Sequence, residues 1–367
     1  MKLLDIRLIS SEKNGEIFPP DTAPLPGSKI FIPDEGFVKR HLGFADRGAF
    51  LGFLYNTNYR VVLDVNSLLQ GHGLILGQTG SGKSYFVGVL TEEILKYNIP
   101  VLIFDYFGEY NTLSQPNNEE KAQLERIGMA PRSFNVKYVV ARDIPVELGK
   151  ILKMPEMAEF LELSDQMRVL IYKTLKECNK VNTIEDLSKC ISKVGTGKFS
   201  QSTIDGLNRR LYELEMLKLR YGPTDIISLV KPGIATVIDI SDLDNELQGL
   251  YISYILEELL QARKGNKVPP TVVVIEEAHN YMGMNETPAN KKLRHLVRSG
   301  RKLGVSVWLT SQRPAYLHPD VVNIVNTHVI MRLRGGDLEV VRKLAPISSE
   351  EVEEIPMLPK GVAYIST

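Results

Sequence analysis

The chain of 367 residues sets 44 Lys and Arg against 44 Asp and Glu, and 43% of it is hydrophobic. That composition excludes a disordered or fibrous chain, and the even charge excludes a global basic field as the means of holding nucleic acid or an acidic membrane. Any such contact must come from a local patch or from a surface shared between copies.

The amino terminus, MKLLDIRLISSEKNG, reaches Asp5 and Arg7 before a signal-length apolar run can develop, and no later stretch approaches a membrane span. A soluble, cytoplasmic protein is expected. Residues 1–65 alternate apolar and polar (KIFIP, FLGFL, YRVVLDV) between turn clusters such as PLPGS and PDEG. This predicts a β-rich module too short for an independent barrel. From His72 the pattern changes to strands apolar on both faces, HGLIL, PVLIFD, ATVIDI, TVVVIE, VSVWLT and THVIMRL, with helical segments between several of them. Residues 66–367 therefore read as one α/β domain around a mostly parallel sheet. From about residue 112 to 229 the rhythm stops and amphipathic helices such as SDQMRVLIYKTLKE and IDGLNRRLYELEMLKLR take over, predicting an inserted helical subdomain. Thr183 with Asp186, and Ser348 with Glu351, have capping-box spacing. Cys178 and Cys190 have neither Cys-x-x-Cys nor Cys/His ligand spacing, so neither a disulfide framework nor a zinc site is suggested.

The chemistry concentrates at strand ends. Gly77-Gln78-Thr79-Gly80-Ser81-Gly82-Lys83-Ser84 matches the phosphate-binding loop in full, after an apolar strand and before a helix. Its glycines let backbone N–H groups turn toward a β-phosphate, Lys83 reaches the β- and γ-phosphates, and the Ser84 hydroxyl suits Mg²⁺. A plain glycine-rich turn would rarely place Gly-Lys-Ser in this register. TVVVIEEAHN then ends a buried strand in two carboxylates. Strand alternation points them apart, which assigns Glu276 to the metal side and Glu277 to polarising water; the alternative is a solvated strand end. Two acids here indicate hydrolysis of ATP rather than transfer to a small acceptor.

Gln312, after GVSVWLTS, stands where a polar side chain can sense a γ-phosphate, although Ser-Gln-Arg-Pro also reads as an ordinary loop start. Asp105 closes PVLIFD as a further carboxylate on the same rim, with loop capping as its competing role. In NKKLRHLVRSGRKLG, Arg294, Arg298 and Arg301 fall at i, i+4 and i+7 on one predicted helix face. Such a stripe is ordinarily a solvated basic face. Before a sensing strand it can also carry an arginine finger for a neighbouring copy, and Arg301 is favoured, with Arg298 second. His279 and His295 lack partners at ligand spacing and read as structural.

The order GQTGSGKS, FDYFGEY, VIEEAHN, SGRKLGVSVWLTSQRP resembles the HerA branch of the HerA/FtsK superfamily, from about Phe37 onward. The resemblance implies a RecA-like core, a ring of six copies around double-stranded DNA, ATP sites between subunits, and a nuclease partner of the NurA type for end processing. Carried over by position, Lys83, Ser84, Asp105, Glu276, Glu277, Arg301 and Gln312 take the functional roles. The sequence departs from that pattern in having Gly71, where many members carry a basic residue before the histidine, and Glu276 in place of an aspartate. Two other readings remain open at this level: a secretion or conjugation ATPase that moves cargo through a partner channel, and a nucleotide-dependent assembly module. No residue pattern supports DNA cleavage by this chain alone.

Overall fold

The computed structural model describes residues 11–13, 16–18, 27–29, 31–178, 181–344, 347 and 349–367. The chain divides into two compact units, Met1–Asp64 and Val65–Thr367.

In the first unit β1 (Ser11–Lys13) pairs antiparallel with β2 (Glu16–Phe18), and β3 (Ala49–Phe53) pairs antiparallel with β4 (Arg60–Leu63). Two expectations change here. PDEG is a helix start rather than a turn: the Asp34 carboxylate accepts from the Phe37 N–H at 2.7 Å and caps α1 (Glu35–Leu42). KIFIP is not a strand over its described part, and Phe31 and Ile32 are exposed. Alternation alone cannot supply the neighbouring strand that a β segment needs.

The second unit begins with α2 (Val65–Gln70), β5 (Gly73–Leu76), α3 (Lys83–Leu95) and β6 (Val101–Asp105). The insertion follows: α4 (Lys121–Arg126), β7 (Val136–Val140), α5 (Leu148–Ile151), α6 (Pro155–Phe160), α7 (Asp165–Glu177), α8 (Ile184–Gly195), α9 (Gln201–Met216) and α10 (Ile226–Leu229). After it come β8 (Ala235–Asp239), α11 (Asn245–Lys264), β9 (Thr271–Ile275), α12 (Pro288–Gly300), β10 (Val305–Ser311), β11 (Thr327–Ile330) and β12 (Tyr364–Ser366). All six strands read from the sequence after His72 form. The insertion also holds one that was not expected: β7, VKYVV, half-exposed at the sheet edge, where Lys137 and Tyr138 interrupt an apolar run.

The eight strands lie in the order β12-β11-β5-β10-β9-β6-β8-β7, parallel throughout except for β12. Trp308 is fully buried in β10, and a Cβ on Gly73 would lie 2.4 Å from its ring, so glycine is required where β5 passes. Beside the sheet, α7, α8 and α9 bury Leu170, Ile171, Leu187, Ile191, Leu207 and Leu211 at helical spacing. The Thr183 side chain caps α8 by accepting from the Asp186 N–H at 3.1 Å; Ser348 lies outside the described residues. The cysteine expectation is overturned, because packing α7 against α8 brings Cys178 and Cys190 together in a disulfide with Cα atoms 6.7 Å apart. Sequence spacing does not show which helices fold back on each other.

Candidate nucleotide site

Register gathers the site. Leu76 stands opposite Ser311, while Ile275 stands opposite Leu309 and Phe104, so β5, β10, β9 and β6 deliver Gly77, Gln312, Glu276 and Asp105 to one rim. The order of strands reverses at β5, which lies between β10 and β11, and such a crevice is where open α/β sheets bind ligands.

The loop from Gly77 to Ser84 is pinned on both sides. The Gly77 N–H donates to the Ser311 carbonyl at 3.3 Å, the Gln78 N–H to Arg332 O at 2.9 Å, and Gly361 N–H to Ser81 O at 2.9 Å. Gly80 (φ 75°) and Gly82 (φ 116°) hold the left-handed conformations that turn the chain into α3. The helices α7, α8, α9, α11 and α12 are capped by the side chains of Ser164, Thr183, Ser200, Asp244 and Thr287. The amino end of α3 has Gly82 instead, with no side-chain cap. Its leading N–H groups are left for an anion, which the helix dipole also favours. Lys83 donates to the Gly77 carbonyl at 2.8 Å; burial lowers its pKa, opposed by the charges of Glu277, Glu276 and Glu109.

Glu276 and Glu277 are both buried but differently held. Glu276 accepts from the Tyr110 hydroxyl at 2.6 Å and from the Tyr106 N–H at 3.1 Å. Burial pushes its carboxyl up to about 7, against the pull of the Tyr110 hydrogen bond. Glu277 lies beyond the strand, which ends at Ile275, and sits in the left-handed region at φ 45° and ψ 46°. Its divergence from Glu276 thus comes from a strained turn, not from strand alternation; such a conformation costs a non-glycine residue about 1–3 kcal/mol and needs surroundings that hold it. The Glu277 N–H donates to the Thr310 hydroxyl at 3.2 Å, while Oε2 has no hydrogen-bond partner. His279 Nδ1 lies 3.3 Å from that oxygen, but burial lowers the imidazole to about 4, so the contact is not an ion pair at neutral pH. Burial raises the Glu277 carboxyl, with Lys83 and the backbone N–H of Gln312 pulling it down. An unpartnered buried acceptor beside the phosphate loop is placed to take a proton from water.

Gln312 joins both halves: the Thr79 hydroxyl donates to its side-chain Oε1 at 2.7 Å, and its backbone N–H lowers the Glu277 pKa. Asp105 instead caps its own turn. Oδ1 accepts from the Gly108 and Glu109 N–H groups at 2.8 and 3.1 Å, and Oδ2 from the Tyr110 N–H at 3.1 Å. These bonds oppose the upward push of burial on its pKa.

The arginines do not join this cluster. Arg301 follows the last residue of α12 and precedes β10, at the opposite rim of the sheet, where its Nε donates to Gln70 O at 3.1 Å. The seven residues of β10 separate it from Gln312 by about 20 Å. Arg298 is exposed, 3.8 Å from Asp320, whereas Arg294 is buried against Glu286 at 3.0 Å. The helical backbone runs on through Arg301, so the three keep their spacing, but Arg294 is buried while Arg298 and Arg301 are exposed.

The family described as "Helicase HerA, central domain" matches residues 49–259, more than half of the chain. The chain belongs to this family. It is 27% identical over 372 residues to the DNA double-strand break repair helicase HerA of Saccharolobus solfataricus, covering 96% of this chain and 73% of that protein. To the HerA of Sulfurisphaera tokodaii it is 28% identical over 377 residues, with the same shares covered. Among solved structures, VirB4 of Thermoanaerobacter pseudethanolicus matches with a TM-score of 0.62 at 16% identity, covering 88% of this chain and 94% of that one. That likeness establishes the fold, an α/β domain around a mostly parallel sheet. The HerA-family chain is an ATP-hydrolysing enzyme.

In this HerA-family protein a side chain at position 71 would meet Asn326 at 2.9 Å, so the departure at Gly71 is built into the packing. Tyr106, Tyr110 and Thr310 are contributors that the sequence reading missed. The run DYFGEY shows a turn, but only the pairing of β6 with β9 sets Tyr110 beside Glu276. No group of three or more His, Cys, Asp or Glu able to hold a metal occurs among the described residues. Hard oxygens from Ser84 and Glu276 beside an anion-binding loop fit a cation that arrives with nucleotide phosphates, as Mg²⁺ does. Among the described residues no helix is long and apolar enough to cross a membrane.

Proposed function

We propose that this protein is an ATP-driven DNA translocase or helicase of the HerA type, acting on double-stranded DNA in end processing or repair. The observation that carries the catalytic half is the convergence of an uncapped α3 amino end, Lys83 and the partnerless Glu277 Oε2 on one rim. The DNA half is supported by the similarity to the HerA relatives, which are DNA double-strand break repair helicases.

In this reading the loop N–H groups and Lys83 bind the β- and γ-phosphates, and Ser84 and Glu276 would hold Mg²⁺. Bound Mg²⁺ supplies charge neutralisation at the phosphate oxygens. Glu277 orients and deprotonates the attacking water, and Gln312 reports the γ-phosphate to the loop through Thr79. Arg301 cannot serve its own phosphate loop from the far rim, which favours a ring, six copies by family resemblance, in which it enters the neighbour's site. A NurA-type nuclease is the partner that a cleavage-free motor would need for end processing.

Steady-state ATP hydrolysis with and without linear duplex DNA tests the proposal. Stimulation by duplex that disappears in Glu277→Gln is expected. Robust hydrolysis indifferent to DNA would overturn the cargo assignment and favour a protein-moving ATPase, leaving the nucleotide site in place.

A further inference from the structure

The buried phenol of Tyr110 has no task in the phosphate-loop pattern, yet it is tied to Glu276, which the proposed function assigns to the metal. We infer that Tyr110 is a positioning residue of the hydrolytic site: its hydroxyl fixes the Glu276 carboxylate and so governs how tightly the site takes a divalent cation with nucleotide. The inference rests on the reading of Glu276 as the metal-side acid.

Tyr110 is 3% exposed and its hydroxyl donates to Glu276 Oε1 at 2.6 Å, a short bond to a buried carboxylate. The other oxygen is held by the Tyr106 N–H at 3.1 Å. Both donors belong to one turn, and that turn is set by the three amides that Asp105 accepts. Asp105 thus acts on the site at one remove: it shapes the turn, the turn places Tyr110, and Tyr110 holds Glu276.

Glu276 also explains why such a holder is needed. A glutamate has one more side-chain torsion to fix than an aspartate, and an unheld carboxylate loses more freedom when it meets a cation. Fixing each oxygen with one donor leaves a lone pair on each for a metal-bound water, with the side chain already oriented.

Tyr110→Phe keeps the ring and removes only the hydroxyl. Three readouts are made on the full chain: Mn²⁺ affinity by paramagnetic resonance with a slowly hydrolysed ATP analogue, affinity for a fluorescent ATP analogue in EDTA, and melting temperature. About tenfold weaker Mn²⁺ binding is expected, with metal-free nucleotide affinity and folding retained. Glu276→Gln should weaken Mn²⁺ similarly, and adding Tyr110→Phe to it should cause no further loss, a coupling that a merely structural phenol would not show. Unchanged Mn²⁺ affinity in Tyr110→Phe beside a loss in Glu276→Gln, or a loss shared equally by metal-free nucleotide, overturns the inference and leaves Glu276 in its role. Unchanged affinity in Glu276→Gln removes that role, and the inference falls with it.

Discussion

The two rims of one sheet are built to opposite specifications. At the carboxyl rim, glycines replace a helix cap, Glu277 is bent into the left-handed region, and a buried carboxylate oxygen lacks a hydrogen-bond partner. At the amino rim side chains tie the strand starts to the segment before β5: Ser306 donates toward the Leu68 and Gly71 carbonyls, Val307 N–H donates to His72 Nδ1 at 3.0 Å, and Arg301 is tied to Gln70 O. The difference teaches where reaction and scaffold lie. Backbone strain and an uncapped helix end mark the rim that a ligand completes, and side-chain ties between strand starts the rim that holds the strands in register.

The sharpest break in this contrast is Arg301, the exposed charge on the quiet rim. If it completes a neighbouring copy's phosphate site, Arg301→Ala should lower ATP turnover about 10³-fold or more with little change in nucleotide affinity. Mixing it with Lys83→Ala subunits should restore part of the turnover; no restoration at any ratio would confine Arg301 to its own chain. Glu277→Gln, on the reactive rim, should reduce hydrolysis by about 10²–10⁴-fold while ATP still binds, whereas Lys83→Ala should lose affinity itself. Equilibrium nucleotide binding alongside single-turnover hydrolysis separates the two, and equal loss of binding would sink the assignment of Glu277.

Stability sharpens the comparison from the scaffold side. Burial lowers His72 from 6.5 to about 4, so between these values the unfolded chain binds more protons than the folded one. Stability from this residue is present above pH 6.5 and is lost as pH falls toward 4, by about 3 kcal/mol in all. Urea melts across that window should be flatter for His72→Gln than for the parent; an equally steep fall would place the acid sensitivity elsewhere. The smallest expected effect lies in the insertion. Thr183→Ala should cost about 1 kcal/mol by uncapping α8 and leave ATP turnover unchanged.

The amino-acid sequence by itself determined the class of fold and the phosphate loop, because strands apolar on both faces and Gly-Lys-Ser at a strand end are local patterns with local causes. It also placed Glu276, Glu277 and Gln312, since each follows an apolar run that ends where the sheet ends. Tertiary structure alone decided the rest. β7 is too polar to read as a strand until β8 pairs with it, and Cys178 meets Cys190 only when α7 folds against α8. Asp105 caps its own turn because that turn supplies three amides, and Arg294 leaves the exposed arginine stripe because it is buried against Glu286. Tyr110 reaches Glu276 across 166 residues of chain. Contacts at that separation follow from strand order and register, which depend on the whole core packing at once and leave no mark on any short stretch.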